Sequence, residues 1–384
     1  MPPTVRVIHP TPDVARGVEY WEGVPATVDG VLGGYGNGTL PRVDAIGSRV
    51  FLLRVLPQLS SIAPAAYNGT REEWRDARIA QRGGSGKCVT RALDCGAGVG
   101  RVTADTLLPL VDEVHMVEPV SKFLGEARRH APTWAPLRAS VRESPLEARK
   151  GVHYHVSTLQ DFDLRWPVDS LPPTWMGDEA PVRDDDAPLE YDVVWCQWCL
   201  QHLSESDLKK FLRGARAALR PDGVIVVKEN ICREQTDGSE SSWYDEEDHS
   251  VTRSRQTFER IFAEAGLAVV RSEVQRGFPD ELFPVMMCVV LTTGGQCARE
   301  ACLCVCAMWC VRVRSRHNWL ARCIIPTRGI LIRRVDQAAA LKRGRCPMPT
   351  EFVCVCGALR GGATVYIIFA KMRESGLPRR NLYP

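Results

Sequence analysis

The sequence contains no apolar run long enough to span a bilayer. Its longest candidate, Ala301 to Val311, falls well short of the ~20 residues a spanning helix needs, so no membrane association is expected. The N-terminus carries Pro2, Pro3, His9, Pro10, Pro12 and Asp13 without an apolar stretch. That argues against a secretory leader and for a cytoplasmic location, with the nucleus as a second compartment. No Ser or Cys occupies a G-x-S-x-G or similar turn, which sets nucleophile-based hydrolases aside. Gly83-Gly84-Ser85-Gly86-Lys87-Cys88 imitates a phosphate loop. It has Gln81 where the first glycine belongs and Cys88 where Ser or Thr belongs, and it precedes a strand instead of following one.

Strong net charge is also lacking, at +3 for 384 residues, but the balance is uneven. From Gly294 onward 16 Lys and Arg face 4 Asp and Glu, which makes the tail +12 and leaves residues 1–293 at −9. Nine of the 15 cysteines also fall in this tail. They sit mostly as C-x-C, whereas structural zinc usually takes C-x2-C pairs, and only His317 is nearby. No heptad, helical stripe or repeat organises the tail. A disordered or mistranslated extension describes residues 294–384 better than a metal or nucleic-acid module does. No metal ligand set is assigned anywhere in the chain.

Residues 13–60 read as two helices around a loop. Val14, Val18 and Trp21 begin the first, and Ile46, Val50, Leu53 and Leu56 space the second at helical intervals. Gly30, Gly33, Gly34, Gly36 and Gly38 lie between them as a linker or a closing lid. Ala92–Cys95, Val114–Glu118, Val152–Val156, Tyr191–Cys196, Gly223–Lys228, Leu267–Val274 and Pro284–Leu291 read as strands. Helices are expected at Arg101–Leu110, around Phe123–Arg129, at Ser204–Leu219 and at Gln256–Ala265. Ser204 caps the third of these, with Leu208, Phe211, Leu212, Ala215 and Leu219 as its buried stripe. Pro132–Lys150 and Pro167–Pro188 read as surface insertions, the second holding the solvated run Asp184 to Asp186. Strands alternating with helices predict a parallel sheet covered on both faces, with ligand at the carboxyl ends of the strands.

Leu93-Asp94-Cys95-Gly96-Ala97-Gly98-Val99-Gly100-Arg101 is the most informative stretch. It runs from a strand through a glycine turn into a helix, and Glu118 ends the next strand. Glycines without Cβ let backbone approach a nucleoside, and the acidic residue can accept from both ribose hydroxyls. G-x-G-x-G suits a nucleoside without phosphate, such as S-adenosylmethionine. Further clusters also reach the strand ends: Leu159-Gln160-Asp161-Phe162; Gln197-Trp198 with His202; Asn230; and Asp245-Glu246-Glu247-Asp248. Singly, a Trp is more often core, a His structural and an acidic run a solvated face. Together they form an aromatic wall with acceptors, suited to a cationic, partly apolar substrate.

Over about residues 18 to 290 the chain resembles the protein α-N-terminal methyltransferases that act on Xaa-Pro-Lys termini. The resemblance rests on Thr27-Val28-Asp29-Gly30-Val31-Leu32-Gly33-Gly34-Tyr35, on the glycine turn, on Leu159-Gln160-Asp161-Phe162 and on Trp195-Cys196-Gln197-Trp198. Leu219-Arg220-Pro221-Asp222-Gly223 and Lys228-Glu229-Asn230 complete it. It implies a class I S-adenosylmethionine-dependent methyltransferase fold: a seven-stranded, mostly parallel α/β sheet with helices on both faces. Residues 1–60 would form an N-terminal helical lid and 61–293 the methyltransferase domain. The resemblance implies that Gly96, Gly98, Arg101, Glu118, Leu159, Gln160 and Gln197 contact the donor, with the Arg101 guanidinium on the donor's carboxylate. It implies that Trp21 helps close the site and Trp198 packs on the second-position proline. Asn230 would hold the N-terminal residue, Asp245 and Asp248 would meet the lysine, and Asp248 and His202 are candidate bases. Ribosomal proteins are implied substrates, and no nucleic-acid partner is expected for residues 1–293. Two departures stand out: Phe283 replaces a tyrosine near the substrate, and the last strand loses the family's ending. On the residues alone, two rivals stay open. One is a methyltransferase of a small molecule or RNA, which the −9 balance opposes; the other is a donor-binding module without catalysis.

Overall fold

The computed structural model describes residues 11–60, 73, 89–138, 150–177, 187–232 and 240–292, and in the tail only the backbone of four short strands. The chain divides into two units, Met1–Ala298 and Arg299–Pro384.

The first unit is built on one sheet of ten strands: β1 (Arg91–Cys95), β2 (Glu113–Glu118), β3 (Gly151–Val156), β4 (Leu171–Trp175), β5 (Tyr191–Gln197), β6 (Leu219–Cys232), β7 (Ser242–Tyr244), β8 (Val251–Ser254), β9 (Leu267–Val274) and β10 (Val285–Thr292). Its main path runs β4-β3-β2-β1-β5-β6-β10-β9. From β3 to β6 every pairing is parallel, and β10 runs antiparallel to both β6 and β9. Seven of these strands are the expected ones, in the order of a class I methyltransferase.

Successive residues of each strand enter opposite cores, as the two-residue period of a strand requires. Leu93, Cys95, Val194, Cys196, Ile225 and Val227 face one cluster. It is covered by α4 (Glu205–Ala217) and α5 (Arg255–Glu264). Ala92, Val114, Met116, Val193, Trp195 and Val226 face the other cluster. There they meet Phe51 and Leu52 of α2 (Leu40–Val55) and Leu124 and Ala127 of α3 (Ser121–His130). A further helix, α1 (Val14–Gly23), is capped by Asp13, whose Oδ1 accepts from the Arg16 amide at 3.1 Å.

Three local expectations need correction. Ile46 and Val50, two of the residues whose spacing marked α2, are exposed, and the inward face is Leu40, Asp44, Ala45, Ser48, Phe51 and Leu52. Two polar residues on that face hide its period from an apolar count. The expected helix after the glycine turn widens to a π-type turn over Thr103–Leu107, with the Leu108 amide reaching the Thr103 carbonyl at 3.0 Å. The second insertion, finally, supplies β4 at the sheet edge, antiparallel to β3.

β6 also runs beyond its expected end. Ile231 and Cys232 pair with β8, and β8 with β7, so the acidic stretch becomes a turn between two added strands. Gly83–Cys88 and Asp184–Asp186 lie outside the described residues.

In the second unit Phe352–Leu359 pairs antiparallel with Gly362–Lys371, and Arg314–Ser315 with Asn318–Trp319. The other tail residues, where the expectation of disorder mostly falls, are outside those described. Among the described residues no helix is long and apolar enough to cross a membrane.

Ser204 caps α4 as expected, its Oγ accepting from the Asp207 amide at 3.1 Å. Ser204→Ala should lower the unfolding free energy by about 1 kcal/mol, read as a shift in urea midpoint.

Candidate active site

A cavity of about 420 Å³ opens at the carboxyl ends of β1, β2, β5 and β6. Its wall contains Trp21, Gly96, Gly98, Arg101, Glu118, Leu159, Gln160, Gln197, Trp198, His202, Asn230 and Asp248. Every candidate from the sequence is therefore brought together except Asp245. Asp245 shapes the turn behind the cavity instead: its amide donates to the Ser250 carbonyl at 2.9 Å and its Oδ1 accepts from the Glu247 amide at 2.9 Å.

The glycine turn has the geometry its sequence demands. Gly96, Gly98 and Gly100 have φ of 63°, 52° and 85°, a region side chains other than glycine rarely enter. A Cβ on Gly96 would stand 2.5 Å from the Cys199 Cβ, and one on Gly100 2.6 Å from the Trp134 ring. Glu118 braces the turn, its Oε2 accepting from the Gly98 amide at 2.9 Å and its Oε1 from the Val120 amide at 3.0 Å. Burial raises the Glu118 carboxyl to about 7, against the lowering effect of those two amides. Gln160 Nε2 and Trp198 Nε1 are buried without a hydrogen-bond partner among the described residues, so two donors in the wall await acceptors.

The glycine-rich segment before α2 is tied down. Thr27 Oγ1 accepts from the Gly30 amide at 3.0 Å, and Asp29 Oδ1 accepts from the Gly36 and Asn37 amides at 2.9 and 3.3 Å. Val31, Leu32, Gly33 and Tyr35 then join the cavity wall.

Behind the wall lies a polar network that sequence reading missed. Asp44 of α2, fully buried, pairs with Arg101 Nη1 and with Lys228 Nζ, the latter at 2.5 Å. Gln197 Nε2 donates to both Asp44 oxygens at 3.0 and 3.1 Å, and Trp195 Nε1 donates to Gln197 Oε1 at 3.1 Å. Lys228 Nζ also donates to Ser48 Oγ and Gln275 Oε1 at 2.9 and 3.0 Å. Burial pushes the Asp44 carboxyl up, but Arg101 and Lys228 outweigh it and hold it below its ordinary value. Burial lowers the Lys228 ammonium, with Asp44 opposing. The one signal in the sequence was a lysine closing the apolar strand Val224–Val227.

At the other side of the cavity, Trp198 takes a φ of 55°, strained for a bulky residue. The Arg101 guanidinium lies 5.6 Å from the centre of its indole, and Phe278 flanks it at 6.2 Å. His202 Nε2 accepts from Trp21 Nε1 at 3.4 Å. Burial lowers the His202 pKa while Asp248 opposes that shift. Asp248 Oδ1 accepts from the Ser250 amide at 3.0 Å. α1 sits directly against this corner, since a Cβ on Gly17 would meet the Asp248 carbonyl at 3.2 Å and His202 Nδ1 at 3.4 Å. Phe283, in the wall, packs on Trp243 at 5.5 Å.

A family profile described as AdoMet dependent proline di-methyltransferase matches residues 13–164 and 175–291. The chain belongs to this family. Similar relatives include alpha N-terminal protein methyltransferase 1 of Arabidopsis thaliana, 34% identical over 271 residues that cover 71% of this chain and 76% of that protein. N-terminal Xaa-Pro-Lys N-methyltransferase 1 of Danio rerio is 33% identical over 267 residues, 69% of this chain and 89% of that one. A solved SAM-dependent methyltransferase from Leishmania major aligns with a TM-score of 0.49 at 29% identity, over 72% of this chain and 82% of its own.

As an AdoMet-dependent proline di-methyltransferase family member, the chain takes its methyl group from S-adenosylmethionine. The cavity fits that donor: a turn whose three left-handed glycines carry no Cβ, a buried carboxylate beside it and an amide donor left over at Gln160.

The Asp44 network holds the family member's N-terminal segment over this cavity. Asp44→Ala leaves two buried cations uncompensated, which should cost about 3–5 kcal/mol of stability. Chemical denaturation measures it, and a loss below about 1 kcal/mol would show that the network does not carry the roof.

Proposed function

We propose that this methyltransferase modifies the α-amine of proteins whose exposed terminus reads Xaa-Pro-Lys. The observation that carries the reading is one cavity joining a glycine bend to a slot of Trp198, His202, Asn230 and Asp248. The names of the Danio rerio and Arabidopsis thaliana relatives support it. Ribosomal proteins with such termini are the expected substrates, met in the cytoplasm.

Gly96 and Gly98 would receive the donor's backbone-facing side and Glu118 its ribose hydroxyls. Leu159 and Gln160 would receive its base, while Gln197 and Arg101 border its amino-acid end. When bound, the donor supplies an activated methyl on a sulfonium, so the protein's work is chiefly alignment. Proline offers a fixed ring that the Trp198 indole grips at low entropy cost, and Asn230 can hold the first residue.

An α-amine has a pKa near ~8, about two units below that of lysine, so a mild base suffices to free its lone pair. His202 offers Nε2 to the Trp21 indole N–H, so in the neutral ring the proton sits on Nδ1. Accepting at Nε2 would require Trp21 to let go. Asp248 commits Oδ1 to its own turn and leaves Oδ2 to take the amine proton or to face the lysine ammonium. Asp248 is therefore the first candidate base, with His202 held in place by Trp21. Asp245 reinforces the turn that carries Asp248.

Incubation with labelled donor and an Xaa-Pro-Lys peptide should transfer label to the α-amine. Asp248→Asn should reduce turnover about a hundredfold or more. Donor binding without transfer to any such peptide would falsify the acceptor assignment.

Glu118 makes donor affinity pH-dependent. With its carboxyl raised to about 7 by burial, the donor-free protein holds the proton below that pH, while ribose hydroxyls are accepted best by the ionised form. Donor affinity should fall as pH drops below about 7, by up to about tenfold per unit. Isothermal titration checks this, and Glu118→Gln should bind more weakly with a flat profile.

A further inference from the structure

Three separate stretches of chain build the acceptor slot. Trp198 and His202 follow β5, Asn230 lies in β6, and Asp248 sits in the turn before β8. Their mutual placement needs more than the sheet, because Trp198 leaves β5 with a φ of 55°. A left-handed backbone is unfavourable for a bulky residue and persists only where the surroundings over-determine it.

The enforcing bonds come from both sides of the segment. The Trp198 amide donates to the Lys228 carbonyl at 3.1 Å. The next two amides, of Cys199 and Leu200, both donate to Glu229 Oε1 at 2.9 Å. Arg253 takes the carbonyls instead: its Nη1 donates to that of Leu200 at 3.0 Å and its Nη2 to that of Leu203 at 2.6 Å. These contacts bracket the turn Leu200–His202. Glu229 directly precedes Asn230, and Arg253 lies on β8, opposite Ile231 of β6, just beyond the Asp248 turn. Each side chain therefore joins the Trp198–His202 segment to one of the other two stretches.

Glu229 and Arg253 are buried, at 1% and 4% exposure, and neither belongs to the cavity wall. Burial raises the Glu229 carboxyl to about 7, with the Leu200 and Cys199 amides and Arg253 opposing. Burial lowers Arg253 to about 10, with Glu229 opposing. Glu229 Oε2 has no hydrogen-bond partner among the described residues. A buried carboxylate that leaves one oxygen unpaired is a poor device for stability alone. What it supplies is direction, since two consecutive amides must converge on its other oxygen.

We propose that Glu229 and Arg253 are positioning residues for methyl transfer, which fix Trp198 and His202 against Asn230 and Asp248 and so set how tightly the acceptor terminus is held. The proposal rests on the reading of those four residues as the acceptor slot. Glu229 acts through Trp198, whose left-handed backbone depends on the amides that follow it. Arg253 acts through His202, whose turn it grips at both ends. A lysine there would keep the charge but lose the planar fork that reaches two carbonyls at once.

Steady-state kinetics of the full chain with an Xaa-Pro-Lys peptide supply the test. Glu229→Gln keeps an oxygen for the two amides but removes the charge, and should raise the peptide KM about tenfold. Arg253→Lys should raise it by a similar factor. Donor affinity, measured by isothermal titration, should stay within about threefold of the parent in both variants. A double-substitution cycle decides whether the effect passes through the indole. Added to Trp198→Ala, Glu229→Gln should change kcat/KM for peptide by less than about twofold; full additivity of the two overturns the proposal. An equal loss of donor and peptide affinity also overturns it, because that is a general loosening of the cavity. If Glu229→Gln does not fold, Arg253→Lys in a cycle with His202→Ala makes the same comparison. Hydrogen exchange at the Cys199 and Leu200 amides needs no peptide and should quicken about tenfold in Glu229→Gln. A parent that methylates no Xaa-Pro-Lys peptide defeats the acceptor assignment, whereas unchanged exchange at those amides defeats the clamp, so the two failures are told apart.

Discussion

The buried Asp44 carboxylate is the point on which the catalytic end of the molecule depends. It belongs to a helix outside the sheet, yet its partners come from three elements of the sheet's active edge. Arg101 follows the glycine turn, Gln197 ends β5 and Lys228 lies within β6. Two cations and one anion buried together are costly to desolvate, and close pairing with full hydrogen bonding offsets that cost. The result is directional in a way that apolar packing is not. α2 has one rotation and one height at which Asp44 meets all three partners and Ser48 meets Lys228, and this sets where the N-terminal roof lies.

The roof then determines what the cavity can hold. α1 approaches so closely at Gly17 that a Cβ there would crowd the Asp248–His202 corner at 3.2 Å. The turn bearing Asp248 is held from both sides, by its own Asp245 and Ser250 contacts and by the Asp13 amide on the His249 carbonyl at 3.3 Å. Trp198 is also fixed twice, by a left-handed backbone and by the Arg101 guanidinium beside its ring. Arg101 thereby links the two halves of the cavity, touching both the Asp44 network and the indole wall.

Much of this was legible in the sequence because it is local. The glycine turn, the Ser204 cap and the strand pattern each announce themselves over a few residues, and the fold follows from their order. What was not legible depends on distant partners. Ile46 and Val50 mark the helical period of α2 without marking its inward face, because Asp44 and Ser48 look like surface residues until Lys228 is known to face them. β7 and β8 are short and become strands only by pairing, β8 with the far end of β6 and β7 with β8. An imidazole ladder is written as Glu113-x-His115 in one strand and His153-x-His155 in another, and neither fragment announces stacked rings until parallel pairing sets them side by side. Asp245 and Asp248 are alike in sequence; the turn between β7 and β8 gives only one of them to the cavity.

Of the strands that joined the sheet unannounced, β4 contains Pro172 and Pro173. A proline has no amide hydrogen to donate, and prolines within sheets are confined to edges and bulges. These two sit where the β3–β4 register slips between Val152 and Tyr154, and Arg128 Nε donates to the Pro172 carbonyl at 2.8 Å. One carbonyl of the outer strand is thus occupied, and two of its positions have no hydrogen to offer a newcomer. The molecule's border on that side repels strand addition by another chain, a guard against edge-to-edge aggregation.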